Sequence, residues 1–364
     1  MLLKIDLIKK HKRSKKGEKN MVSEMTSKER VLAMLNRKSV DRVPVITGSA
    51  MVKEYIEKSG SSWPYYHCNA EMMVNTVSLM HTDAGLDNIV MPFGMFIESM
   101  AIGLEVKMGR IDIQPSVRSF FNKPEEVKYD SFLEDKFVKT TLDAIKLSKE
   151  KYPDAAVTAF LVAPITLAGD LMGAENLSML SIKCLQKEKQ MQKMQDWLSI
   201  ALEINRIYVE ACIEAGADVI YYSDASASPN LVMPEFYYQV AVPAEKEIGD
   251  FVHHLGCPWE LHICGDTVPI IEGMASTGAD CLSVEQAVNM KEATKIAGNV
   301  PVVGNVTPLL MVEGREEQII DETRKGLDGG AKASMLGCGT PPLSTSDRLK
   351  TWVKAVADWS ADNI

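Results

Sequence analysis

The chain has 364 residues, 46% of them apolar and 24% charged, which is material for one large core or two ordinary ones. Its net charge of −9 is uneven: residues 1–24 carry eight Lys or Arg against three acidic groups, the remainder 32 against 46, and an acidic body argues against nucleic acid as the main partner. Seven cysteines without a short regular framework read as reduced thiols in a cytoplasmic protein, and no apolar run is long enough to span a bilayer.

In chain order, residues 1–24 form a basic tail around the run Lys9 to Lys16, without the apolar stretch of a secretory signal. It reads as a solvated N-terminal extension, disordered or helical, or as the product of a start upstream of Met21 or Met25. Residues 25–364 read as a single catalytic domain. A helix is expected over 26–38, with Thr26 and Glu29 at capping-box spacing and Val31, Leu32 and Leu35 on one face. Short apolar runs follow at 42–48, 88–93, 156–162, 218–224, 259–265, 281–286, 300–306 and 334–339. Most are separated by amphipathic segments such as 204–214 and 318–327, and Gly216 and Gly278 mark helix stops just before strands. Strands alternating with helices imply parallel βαβ units, and eight of them imply an α/β fold of the (β/α)8 TIM-barrel type. The rival is an open doubly wound sheet, but no Gly-rich fingerprint follows the first strand. Two segments depart from the repeat. Residues 104–108 and 111–114 alternate around Gly109-Arg110 and read as a β-hairpin excursion after the second strand, while 123–151 reads as a charged, mostly helical connection.

The chemistry gathers where the fifth strand ends, at Glu260-Leu261-His262-Ile263-Cys264-Gly265. Alternation along a strand turns His262 and Cys264 to the same face. An imidazole and a thiolate side by side are half of a zinc site. Barrel enzymes place their chemistry at the C-terminal ends of the strands, where this register also puts Asp224, Glu285, Asn305 and Cys338. His262, Cys264 and Cys338 are therefore expected to hold one Zn²⁺, with Glu285 at its open position, where a thiol would become an oriented thiolate. Asp224 either fixes the tautomer of His262 or caps a helix. Gly265 and Asn305 are expected on the cofactor side of the same rim. The other cysteines fail this test: Cys257 lies roughly 23 Å of extended chain before Cys264, Cys281 roughly 13 Å before Glu285. Cys184 and Cys212 sit in helical stretches, and Cys68 has no assigned role.

His262-Ile263-Cys264-Gly265, Leu282-Ser283-Val284-Glu285 and Leu336-Gly337-Cys338-Gly339 resemble the methylcobamide:coenzyme M methyltransferases of the uroporphyrinogen decarboxylase superfamily. Asp41 to Val45, Gln114 to Val117, Asp224 to Pro229 and Val303 to Val306 extend the resemblance along nearly the whole chain after the tail. The ligand order is also similar to the zinc site of cobalamin-independent methionine synthase. The resemblance implies a (β/α)8 barrel with His262, Cys264 and Cys338 as zinc ligands. It further implies methyl transfer from a methylcobamide, a corrinoid supplied by a partner protein, to the thiol of coenzyme M. The chain lacks the Asp-X-His-X-X-Gly motif of corrinoid carriers, so the corrinoid is expected on a separate protein at the barrel mouth. Arg110 is a candidate for the sulfonate. Three rivals remain: a demethylating relative that loads the corrinoid, a uroporphyrinogen decarboxylase-like enzyme, and a barrel with a purely structural metal. The decarboxylase reading lacks its arginine-rich motif around residues 47–53.

Overall fold

The computed structural model describes residues 25–49, 51–92 and 94–364. The basic tail lies outside the described residues, as does Phe93, the last residue of the second expected strand. Helix Ser27–Leu35 opens with Thr26 accepting from the Glu29 amide at 3.1 Å while the Glu29 carboxylate accepts from the Thr26 amide at 2.8 Å, the expected capping box. Arg37 ends its run with a φ of +58°, two residues beyond the helix.

Six parallel strands form a continuous sheet in the order Asn88–Met91, Ala156–Val162, Val219–Ser223, Trp259–His262, Cys281–Ser283 and Val302–Val303. They fall at the second to seventh expected positions. The first and eighth segments are too irregular to count as strands, yet they close the sheet into a barrel. The Asp87 amide donates to the Val45 carbonyl at 2.7 Å on one edge, and the Val306 amide donates to Met335 at 3.1 Å on the other. Val45 and Ser334 bridge in parallel, with the Ser334 amide donating to Pro44 and the Ile46 amide to Ser334. The open-sheet rival falls on these bonds, because neither edge is left unpaired. Pro44 has no N–H to contribute, which is one reason the first stave stays short.

The strand-side chemistry follows the residues. Ala156–Val162 is buried throughout, as a strand covered on both faces must be. Outward-facing Trp259 packs on helix Val242–His254 at Gly249, where a Cβ would come within 2.6 Å of its Cε2. At the N-terminal end, Asp87 is fully buried and accepts from Arg30 Nη1 at 2.6 Å, Arg42 Nη2 at 2.8 Å and the Val45 amide at 2.8 Å. That knot ties the first two staves together, and it accounts for Arg42 in the Asp41-to-Val45 motif. Helix Ser346–Asn363 covers the closing seam through Trp352 Nε1 to Ser334 Oγ at 2.8 Å and Ser360 Oγ on the Val43 amide at 3.1 Å.

Two expectations need correction. The hairpin exists, but its return strand is Ser116–Val117 paired with Val106–Lys107, and residues 111–112 form the turn between bridged Arg110 and Ile113. Gly109 is the reason for the slip: its φ of +67° brings its backbone against the carbonyls of Ile113 and Gln114 and delays the pairing. Residues 123–151 are helical only from Lys136–Lys151, where Asp135 caps the helix; before it come two short 3-10 turns.

Candidate metal centre

Strand Trp259–His262 delivers His262 to the inner face at its C-terminal end, 3% exposed, and Cys264 follows two residues later on the same side. His262 Nε2 and Cys264 Sγ lie 3.4 Å apart. Cys338 arrives from the last stave, which closes on the first through Val45 and Ser334. The donor atoms of His262, Cys264 and Cys338 all lie within 4.8 Å of one another, the one such cluster of His, Cys, Asp or Glu among the described residues. Gly337 makes the approach possible. A Cβ there would sit 2.6 Å from the Gln286 amide nitrogen, so only glycine lets the Cys338 segment press against the residue after Glu285.

The three donors suit a soft or borderline divalent ion, since two sulfurs and an imidazole form a recognised zinc set. Cys264 also meets Cys338 directly, thiol to thiol. The bond from Cys264 holds the Cys338 thiol below its ordinary value, assisted by His262. The same bond pushes Cys264 up, assisted by burial and by the neighbouring Glu285 carboxylate. Glu285 is half-buried and lies close to Cys264. Cys338 is exposed.

Other expected site residues hold the frame. Asp224 does not orient the imidazole. Its carboxylate accepts from the Ile165 and Thr166 amides at 3.2 and 2.7 Å and from Thr166 Oγ1 at 2.7 Å, capping helix Pro164–Met172. Burial raises its carboxyl above the usual range, and buried Glu245, bonded by Tyr237 Oη at 2.7 Å, lies against it. Asn305 uses both amide hydrogens on the Glu285 and Val288 carbonyls, at 2.9 and 2.7 Å, and so anchors the loop that carries Glu285. Gly265 turns the chain after Cys264 with a φ of +84°; a Cβ there would come within 2.7 Å of Asn230 Nδ2. Arg110 is exposed on the hairpin turn and pairs with Asp112 at 3.2 Å. Cys184, Cys212, Cys257 and Cys281 are buried away from the cluster, and Cys68 is exposed at the end of the 3-10 turn Tyr65–Cys68.

Two residues that support His262 were not singled out in the sequence. Ser283 lies opposite it in the parallel register, with Oγ 3.0 Å from Nδ1. Tyr221 stacks on its ring. The available signal was parity: Ser283 sits two residues before Glu285 and therefore on the same face.

With this geometry in view, a family model described as uroporphyrinogen decarboxylase (URO-D) matches residues 26–359. The chain belongs to the uroporphyrinogen decarboxylase family. Within that family it is 33% identical to a methylcobamide:CoM methyltransferase, MtaA, of Methanosarcina barkeri, over 93% of this chain and 100% of the relative. Among solved structures, a methyltransferase from Methanosarcina mazei superposes with a TM-score of 0.86 at 31% identity, covering 92% of this chain and 99% of that one. A B12-independent methionine synthase from Shewanella sp. W3-18-1 shares the fold at a TM-score of 0.58 and 14% identity, covering 88% of this chain and 98% of that one. The family resemblance expected from the motifs is borne out. Among the described residues, no helix is long and apolar enough to cross a membrane.

Proposed function

We propose that this chain is a zinc-dependent methyltransferase that moves a methyl group from a methylated corrinoid, carried by a separate protein, to the sulfur of coenzyme M. The observation that carries this reading is the convergence of His262, Cys264 and Cys338, with Glu285 beside Cys264. Its relatives bear the name methylcobamide:CoM methyltransferase, which supports the choice of donor and acceptor.

His262, Cys264 and Cys338 would be the ligands. Bound to them, Zn²⁺ would hold an incoming thiol as a thiolate at neutral pH. One neutral imidazole and two thiolates balance a divalent charge, and three protein donors leave a fourth place. Glu285, beside Cys264, would be the carboxylate that yields to the substrate sulfur, so that one anion would replace another and the total charge would be unchanged. The Glu285 loop is held by Asn305, which keeps the carboxylate near the sulfurs. The substrate sulfur then attacks the methyl carbon. A sulfur–carbon bond forms, the cobalt–carbon bond breaks, and its electron pair stays on cobalt. No corrinoid-ligating motif is present in the chain, so the donor reaches the mouth on its own carrier.

The test supplies zinc-loaded protein with methylcobalamin and coenzyme M, with homocysteine as a second thiol. Loss of the methyl–cobalt absorbance together with methylated coenzyme M supports the reading. No turnover with either thiol rejects it.

A further inference from the structure

The imidazole of His262 has two nitrogens, and only a bare lone pair on Nε2 could bind a metal ion together with Cys264 and Cys338. What decides the tautomer lies on the other side of the ring. Ser283 Oγ is 3.0 Å from Nδ1, and Asp224, the obvious orienting carboxylate in the sequence, is occupied elsewhere. A serine is ambiguous by itself, because it can donate to Nδ1 or accept from it.

A third residue offers the serine hydrogen somewhere else to go. Met335 Sδ stands 3.5 Å from Ser283 Oγ, and a thioether has no hydrogen to give. The single serine hydrogen has an acceptor in Met335, and when it is used there an Oγ lone pair faces Nδ1. The Tyr221 hydroxyl also meets Ser283. As a donor it takes one lone pair of Oγ; with the serine hydrogen on Met335, the other lone pair faces Nδ1, the arrangement that a metal ion on Nε2 requires. All three residues are buried, so water does not compete for these bonds.

We infer that Ser283, with its hydroxyl directed by Met335, is a positioning residue that holds His262 as the Nδ1–H tautomer and turns Nε2 toward Cys264 and Cys338. The Met335 thioether reaches the metal ligand through one hydroxyl, three residues before it delivers Cys338 to the same cluster. This inference rests on the metal reading above, since its consequence is the readiness of Nε2 to bind an ion.

Zinc affinity, measured by competition with a chromophoric chelator, tests it. Ser283→Ala should weaken zinc by about 10–100-fold, the usual effect of removing such a partner. Ser283→Thr, which restores a hydroxyl, should recover affinity to within about threefold of wild type. Met335→Leu keeps the volume but releases the serine hydrogen to compete for Nδ1, and should fall between the two. In ¹⁵N spectra of the zinc-loaded protein, the proton on His262 Nδ1 should exchange slowly in wild type and rapidly in Ser283→Ala. Two outcomes overturn the inference while leaving the metal reading intact: Ser283→Ala binding zinc as wild type does, or Ser283→Thr failing like Ser283→Ala although folded. A wild-type protein that takes up no stoichiometric zinc removes both.

Discussion

The ring of Tyr221 lies over the imidazole of His262, centroids 5.9 Å apart and planes 21° from parallel, and it also stacks on Phe160 at 5.7 Å. The tip of that ring is accommodated because residue 48 is glycine. A Cβ there would fall on the end of the Tyr221 ring and 2.8 Å from Met335 Cε. Both neighbours are buried and have nowhere to go. Gly48→Ala should therefore cost about 1–3 kcal/mol of stability through overpacking. It should also weaken zinc binding by displacing Tyr221 from the imidazole. Denaturant unfolding and chelator competition on the one variant check both; full zinc affinity in a destabilised protein would show that the stack does not support the ligand.

Cys264→Ala and Cys338→Ala should each abolish stoichiometric zinc and methyl transfer while the barrel remains folded. Neither side chain belongs to the buried core, so stability should stay within about 1 kcal/mol of wild type. Cys184→Ala is the control, because that thiol is buried in helix Ala174–Cys184 and should leave the metal in place. Metal analysis beside circular dichroism distinguishes the cases. Retention of one zinc in both ligand variants would eliminate the site.

Glu285→Gln should keep most of the metal and alter how it exchanges with thiol. The amide preserves the shape of the side chain and removes the negative charge beside Cys264. Thiol binding followed by rapid mixing should change rate by about tenfold or more, while zinc content holds. Wild-type behaviour in both measurements would reduce Glu285 to a strand-end carboxylate.

Glu260 stands on the inner face two residues before His262 and is 3% exposed; burial pushes its carboxyl up to about 8, with the Asp280 charge adding to the effect. The unfolded chain releases this proton near its ordinary value of 4.5, the folded chain only near 8. Between those values the unfolded state binds fewer protons, so the contribution of Glu260 is fully present below about 4.5 and is lost as pH rises through about 8. Glu260→Gln removes that dependence. Relative to wild type, the variant should gain on the order of 3 kcal/mol between about pH 5 and about pH 8.5, read from denaturant unfolding at the two pH values. Parallel profiles for the two proteins would refute it.

How much was visible beforehand differs from residue to residue. His262 and Cys264 were legible because side-chain parity along one strand is a local property, and Thr26 with Glu29 because a capping box closes within four residues. Cys338 was legible because the sequence repeats the helix-and-apolar-run pattern eight times, which fixes a common rim even though the eighth run is held only by isolated bridges. The hairpin return was misplaced because Gly109 changes the backbone course in a way that alternation does not record.

Parity and periodicity thus determined the barrel, its rim and the three soft donors from the chain alone. Only the folded structure decided that Asp224 caps a helix, that Asn305 anchors the Glu285 loop, and that Ser283 stands behind His262. Those are pairings between neighbouring staves and helices, set by register and by which hydrogen-bonding groups burial leaves facing one another. No property of a single segment contains them.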